Sequence, residues 1–306
     1  MSKAYLLAAG VGSRLRPVTS VLPKPLVPFL NQPLVSYQHN NLLSHTEHVR
    51  FNISYLADHL AQYIEASPRS SYCLEAEPLG SARTVWEERA YFDQTTIVAC
   101  ADIMASYDVE RLLYIHKHSG AMVTIATVEV DDPRRYGVIV SDRNGRIVQF
   151  QEKPDQPLSN TISSGIYVFE PGVFEHWESS WKDLGSNTFP ALVAKGIAVH
   201  AAPLECNWYD VGKIDDYLLL QLQFLGNANM VHPEASVSPG ATLDCVIVGS
   251  GAVIESGAEL SHCVVWPGTH IHTGRTEQMS ILTPTFAYQV ECATEMERQV
   301  RRVLSR

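Results

Sequence analysis

The residues best suited to chemistry open the chain: Leu7-Ala8-Ala9-Gly10-Val11-Gly12-Ser13-Arg14-Leu15-Arg16, followed by Pro23-Lys24-Pro25. A strand that ends in a glycine-rich turn presents backbone N–H groups able to cradle phosphate oxygens. Arg14, Arg16 and Lys24 set cations beside that turn, which suits a triphosphate whose charge must be neutralised. Prolines on both sides of Lys24 restrict the local backbone, so its ammonium is aimed. Two familiar phosphate motifs fail here. The dinucleotide fingerprint G-x-G-x-x-G has Leu15 at its third glycine position, and no acidic residue ends a second strand at the expected distance. The P-loop G-x-x-x-x-G-K-[ST] is absent.

The elements that must hold this loop alternate between strand and helix up to about Gly226. Ala4–Ala9 is a continuous apolar run, as expected of a strand covered on both faces. Leu34–Leu43 and Asp58–Ile64 have helical spacing, Thr96–Ala99 reads as a buried strand, and Asp108 is placed to cap a helix over Asp108–His118. Strands are predicted at Met122–Val128, Gly137–Val140 and Ile147–Phe150, the last two joined by the hairpin turn Asp142-Arg143-Asn144-Gly145. Ile162–Phe169, Asn207–Asp210 and a helix over Asp215–Phe224 follow. This alternation predicts an α/β fold with a doubly wound, mostly parallel sheet.

Beyond Gly226 the pattern changes. Val231, Val237, Leu243, Val248, Ile254, Leu260, Val265 and Ile271 form a ladder that repeats with an offset of 17 residues, and Gly240, Gly257 and Gly274 recur at the same offset. Fixed self-similarity predicts stacked coils, about two and a half of them, each burying its ladder against the next. Phe286, Val290, Ala293, Met296, Val300 and Val303 then fall at helical intervals, so an amphipathic helix is expected over residues 285–306 as a cap or subunit contact. The expected division is 1–226, 227–284 and 285–306.

Composition excludes several classes. The chain has 306 residues, 45% hydrophobic and 18% charged, with 23 basic against 33 acidic side chains and a net charge of −10. A chain of this size can bury a large core. No apolar run approaches the ~20 residues needed to cross a bilayer, so no membrane span is expected. The acidic balance argues against general nucleic-acid binding. Met1–Gly10 runs straight into glycines and arginines and reads as a first strand, not a signal peptide. Six scattered cysteines without a C-x-x-C pair predict reduced thiols and a cytoplasmic protein. His116-x-His118 and His270-x-His272 could suggest a transition metal, but both pairs are expected to be surface histidines.

Six further stretches follow the opening loop in order: Glu77-Pro78-Leu79-Gly80-Ser81-Ala82, Ala101-Asp102, Tyr136-Gly137-Val138, Glu152-Lys153-Pro154, Ser164-Gly165-Ile166-Tyr167-Val168 and Trp208-Tyr209-Asp210-Val211-Gly212. Together the seven closely resemble the sugar-1-phosphate nucleotidyltransferases, and the resemblance covers nearly the whole chain. It implies a Rossmann-like, GT-A-type catalytic sheet with a short C-terminal left-handed β-helix. It also implies a substrate pair, a nucleoside triphosphate and a sugar 1-phosphate, joined into an NDP-sugar with release of pyrophosphate. The mannose-1-phosphate guanylyltransferases are the most similar branch, which implies GTP and mannose 1-phosphate or a related sugar phosphate. A homo-oligomer, dimer or higher, is expected.

The resemblance assigns roles residue by residue. Arg14 and Lys24 hold the triphosphate and stabilise charge at the α-phosphorus. The backbone at Leu7, Ala8, Gly10, Gly12 and Gly80 faces base and ribose, while Arg83, which departs from the family pattern, is expected either to contact base or phosphate or to obstruct the nucleotide. Asp102 and Asp210 bind Mg²⁺, Glu152 meets sugar hydroxyls, Lys153 pairs with the sugar phosphate, and Gly137 and Ser163 line the sugar pocket. Such chemistry needs no dedicated base, because a phosphate monoester with a second pKa near ~6 is already an anion. It needs alignment and charge neutralisation. Three positions depart from the family pattern: Ala101 stands where glycine is common, Arg83 replaces the last glycine of Gly-Thr-Ala-Gly, and Ser163 replaces an asparagine. These leave a second reading open, a catalytically weak regulatory paralogue that binds nucleotide sugar and assembles through its β-helix.

Overall fold

The structure is a computed structural model that describes residues 2–290. The opening apolar run forms the strand Lys3–Leu7, flanked on both edges by parallel neighbours, Val49–Ile53 and Thr96–Cys100. Ser70–Leu74 pairs parallel with Val49–Ile53, completing a parallel run of four. Beyond Thr96–Cys100 the nine-stranded sheet changes direction. Thr161–Phe169 is antiparallel to it and to Val123–Glu129, which in turn is parallel to Val199–Pro203. The predicted hairpin, Gly137–Ser141 with Ile147–Glu152, joins through the pairing Ile162↔Val138 and a bridge between Arg146 and His200.

Pleating explains why the first strand is apolar throughout. Successive side chains point to opposite faces. Ala4 and Leu6 enter one core with Leu42, Leu60 and Leu112, while Tyr5 enters another with Val85, Phe92, Phe169 and Phe189. The buried Tyr5 hydroxyl is satisfied by Thr84 Oγ1 at 3.2 Å. The helix expected from Asp108 spans Val109–Ser119, and the Asp108 carboxylate accepts from the Arg111 amide at 2.9 Å. Gly120 closes that helix in the left-handed conformation, φ 63. On the same helix His116 corrects the expectation of a surface residue. It is 2% exposed, with Nδ1 2.7 Å from Thr124 Oγ1 and Nε2 2.9 Å from Glu170 Oε1. Burial lowers its pKa, and Glu170 opposes that shift. His118 is exposed, as expected.

The chain divides into two compact units. The first comprises residues 2–11, 22–26 and 34–210; the second takes residues 12–21, 27–33 and the described residues from Val211 on. Within the second unit, Asn31 Nδ2 donates to the Val248 carbonyl at 3.0 Å, and the Leu30 amide donates to Gln221 Oε1 at 3.0 Å. Tyr217 Oη donates to the Pro28 carbonyl and accepts from Trp266 Nε1 at 3.0 Å.

The repeat is a three-faced parallel β-helix. Val231, Val248, Val265 and Leu282 stack in one row, Val237, Ile254 and Ile271 in a second, and Leu243, Leu260 and Glu277 in a third. There are three full coils plus the rung Ser280–Leu282, more than the ladder predicted. Glu277 explains the shortfall, because it breaks the apolar pattern while pairing with Arg275 at 2.7 Å. Cys245, His262 and Met279 occupy the same corner in successive coils, each with positive φ. Residues 285–290, read as the start of a helix, contain instead the strand Ala287–Gln289, antiparallel to Ser280–Leu282. Two open strand edges meeting satisfy their hydrogen bonds more directly than a helical turn would. The remainder of that expected helix lies outside the described residues. The five described cysteines are free thiols, and among the described residues no helix is long and apolar enough to cross a membrane.

Candidate active site

At the C-terminal end of Lys3–Leu7 the chain leaves the sheet, and the Leu7 carbonyl accepts from the Ala101 amide at 3.0 Å. Asp102 follows directly. Asp210 arrives on the strand Trp208–Asp210, which pairs antiparallel with Ile103–Ala105 so that Asp210 is the partner of Ile103. The register therefore brings the two carboxylates to neighbouring positions from segments more than a hundred residues apart. Lys24 Nζ lies 2.6 Å from Asp102 Oδ2, with the lysine side chain 7% exposed and the aspartate 36%. An ammonium this buried requires such a partner. Burial, then the charge of Asp102, pushes the Cys100 thiol up, with Lys24 opposing and Asp210 and Asp183 adding.

Cys100, Asp102 and Asp210 line one cavity of about 290 Å³, together with Leu7, Arg135, Gly137, Glu152, Lys153, Ser163 and Asp183. Gly137 is the register partner of Glu152. A Cβ at Gly137 would strike the Phe150 ring and sit 3.3 Å from Glu152 Oε2, so glycine is what leaves the pocket its depth. Lys153 has φ 44 and pairs with Glu152 Oε1 at 2.7 Å. It is the more exposed of the two, at 65% against 21%. Near Ser163 the long strand carries an irregularity between Ser163 and Tyr167, around Gly165 with φ 78. Such bulges re-aim side chains. Ser163 Oγ lies 3.3 Å from Tyr167 Oη, while Ser164 Oγ is buried with no hydrogen-bond partner among the described residues.

Gly80 opens the helix Ser81–Glu87 with φ 95, and a Cβ there would collide with the Lys182 carbonyl. That carbonyl accepts from the Ala82 amide at 3.0 Å, and Ser81 Oγ donates to Asp183 Oδ2 at 2.9 Å. Arg83 is engaged elsewhere: its guanidinium is held by Glu87 and the Ser179 carbonyl, and it is not among the cavity-lining residues. Ala8 is buried at the start of the glycine loop, and Gly10 is exposed with open space where a side chain would be. Gly12 and Arg14 belong to the second unit. There Gly12, in the left-handed region, accepts from Thr19 Oγ1 at 2.8 Å and starts the short turn Ser13–Leu15 that carries Arg14 exposed.

Sequence reasoning missed a buried relay behind these loops. Asn52 Oδ1 accepts from the Ala8 amide at 2.8 Å, and Asn52 Nδ2 donates to Glu75 Oε1 at 2.9 Å. Glu75 Oε2 accepts from the Leu79 amide at 3.0 Å. Asn52 and Glu75 are 4% and 7% exposed. The relay ties the glycine loop to the Glu77–Gly80 loop; its one sequence signal was an asparagine inside an otherwise buried strand. Asn52→Ala orphans both Ala8 N–H and Glu75 Oε1, and is expected to cost about 1–3 kcal/mol of stability, measurable by denaturant unfolding. A loss below a few tenths of that would mean the relay is replaceable by solvent. Asp183, which anchors Ser81, was likewise missed.

Comparison with known proteins agrees with this geometry. A family model described as nucleotidyl transferase matches residues 3–226. The chain is 36% identical over 237 residues to a UTP–glucose-1-phosphate uridylyltransferase of Synechocystis, covering 70% of this chain and 61% of that relative's length. It is 33% identical over 249 residues to the mannose-1-phosphate guanylyltransferase catalytic subunit beta of Xenopus tropicalis, covering 78% and 69%. With mannose-1-phosphate guanylyltransferase 1 of Arabidopsis thaliana it shares 30% over 299 residues, covering 88% and 82%. By its matched domain and these relatives, the chain belongs to the nucleotidyltransferase family, in the group that acts on sugar 1-phosphates.

Proposed function

We propose that the chain joins a nucleoside triphosphate to a sugar 1-phosphate and releases pyrophosphate. The observation that carries this reading is the convergence on one cavity of Asp102, Gly137, Glu152, Lys153, Ser163 and Asp210, drawn from separate segments of the sequence. In the proposed reaction an oxygen of the sugar phosphate attacks the α-phosphorus in line. The new P–O bond forms as the bond to the bridging oxygen breaks, and pyrophosphate leaves with that electron pair. The nucleophile is already ionised, so the protein's task is placement and charge neutralisation.

Lys24 supplies a buried cation at the phosphate end, and Arg14 a second, assigned from its position beside the glycine turn. Glu152 accepts from sugar hydroxyls, and Lys153, on the exposed lip, meets the sugar phosphate. The orphaned Ser164 hydroxyl is a further donor for a bound sugar. Asp102 and Asp210 fit Mg²⁺, because they offer hard carboxylate oxygens at neighbouring register positions and Asp102 already stands against a cation. Bound there, Mg²⁺ would add positive charge beside the phosphates.

GTP and mannose 1-phosphate are the substrates we favour. The guanylyltransferase relatives align over more of the chain, 88% in Arabidopsis against 70% for the uridylyltransferase, and so take in the solenoid region as well. Against the regulatory-paralogue reading we set the engagement of Arg83 by Glu87 and the Ser179 carbonyl. Pyrophosphate release measured across four nucleoside triphosphates and several sugar 1-phosphates tests the proposal. Highest turnover is expected with GTP and mannose 1-phosphate. Silence in every combination, with nucleotide-sugar binding retained, would overturn the enzyme in favour of the paralogue.

A further inference from the structure

We propose that Glu255, His270 and His272 form a binding site for a divalent transition-metal ion, zinc foremost, on the outside of the β-helix. None of the three takes part in the proposed transfer reaction. Stacking of the coils brings them together. Glu255 directly follows the Val253–Ile254 strand of the second coil, and its amide donates to the carbonyl of Ile271 in the third at 3.0 Å. Along an extended segment, residues two apart face the same side. His270 and His272 accordingly point outward together while Ile271 between them is fully buried, and their ring centroids lie 4.4 Å apart.

The donor atoms converge. Glu255 Oε1 is 2.7 Å from His270 Nε2 and 3.8 Å from His272 Nδ1, and all three atoms lie within 4.8 Å of one another. Tetrahedral zinc, with bonds of about 2.0–2.1 Å, separates its ligand atoms by about 3.3 Å, a value these spacings bracket. The other carboxylate oxygen is already committed. Glu255 Oε2 accepts from the Thr273 amide at 2.8 Å and from Thr273 Oγ1 at 2.7 Å, which fixes the carboxylate with Oε1 toward the imidazoles. Two imidazoles and one carboxylate suit zinc, whereas magnesium and calcium prefer an all-oxygen set. Three protein ligands leave a fourth position open, and there is room for it. His270 and His272 also line a concavity of about 380 Å³ with Arg275 and Phe286, large enough for water or a small anion. An ion held here would staple the second coil to the third.

The test is calorimetric titration of the full-length chain with ZnCl₂ in excess MgCl₂, which occupies hard-oxygen sites. One zinc per chain with micromolar Kd is expected, weakened at least tenfold in Glu255→Gln and in His270→Ala. The double variant His270→Ala/His272→Ala should lose the site altogether. Both histidines are exposed, at 50% and 72%, so these variants are expected to fold, which circular dichroism verifies. Zinc uptake by the wild type no tighter than by the double variant would overturn the proposal. Pyrophosphate release does not enter this readout, so failure here and failure of the transferase reading are distinguishable.

Discussion

Lys24→Ala is expected to lower kcat/KM for nucleotidyl transfer by about a thousandfold, the upper range for removing one preorganised charge-stabilising donor from an active site. Two features justify the large figure. The ammonium is nearly sequestered from water, at 7% exposed, so its field is weakly screened. It is also the group that balances Asp102 at 2.6 Å, and its removal leaves that carboxylate without its cation beside the cavity that the proposed phosphates would enter. Lys24→Arg should not rescue. The flanking prolines and the enclosed position fit a compact ammonium, and a planar guanidinium needs a wider, forked set of acceptors. Steady-state kinetics on purified variants, with thermal unfolding alongside, checks both. A loss of less than tenfold in the folded alanine variant would place Lys24 outside the reaction and leave it a structural partner of Asp102.

Asp210→Asn carries the second largest expected effect, a loss of at least a hundredfold in turnover with little change in stability. The substitution keeps shape and removes one negative charge. Asp210 is half-buried, and its strand is secured by backbone pairing with Ile103–Ala105. An asparagine therefore leaves the fold in place and withdraws a hard anionic ligand. The signature that separates metal binding from other roles is the magnesium dependence: half-saturation should move to higher MgCl₂ concentration, with partial recovery of turnover at high magnesium. Undiminished turnover would remove Asp210 from the metal site. A uniform loss at every magnesium concentration would point instead to direct contact with substrate.

How much was legible depended on whether a residue's partner lay nearby in sequence or in periodicity. Lys3–Leu7 was readable because both of its faces are buried, and the hairpin because Asn144-Gly145 announces a turn. Asp108 was readable as a cap because its partner is three residues away. The β-helix was visible wherever valine, isoleucine and leucine held the ladder, and ceased to be visible at Glu277. The strand Ser70–Leu74 went unseen because it is only partly buried and lacks apolar alternation. His116 looked like a surface residue because its two partners, Thr124 and Glu170, come from elements the helix pattern does not reveal. The motifs identified Asp102, Glu152 and Asp210 as a set, whereas Asn52 and Glu75, which belong to no quoted motif, emerged only from the fold. Packing contacts between distant buried polar groups leave no periodic trace.

The anchoring of residues 27–33 has a consequence for the order of synthesis. Asn31 donates to the carbonyl of Val248, 217 residues later, and Pro28 waits on Tyr217. At about 5–20 residues per second, roughly 10–40 s separate the emergence of Asn31 from that of its acceptor. The strand that opens the cavity can find its neighbours early, since Thr96–Cys100 soon follows it. The segment after Lys24 gains its last anchor, the Val248 carbonyl, only as the solenoid forms. A nascent chain stopped at the family domain's end would carry every catalytic residue named above and still lack the acceptor that Asn31 requires. The segment that follows Lys24 is thereby completed only by residues beyond the matched domain.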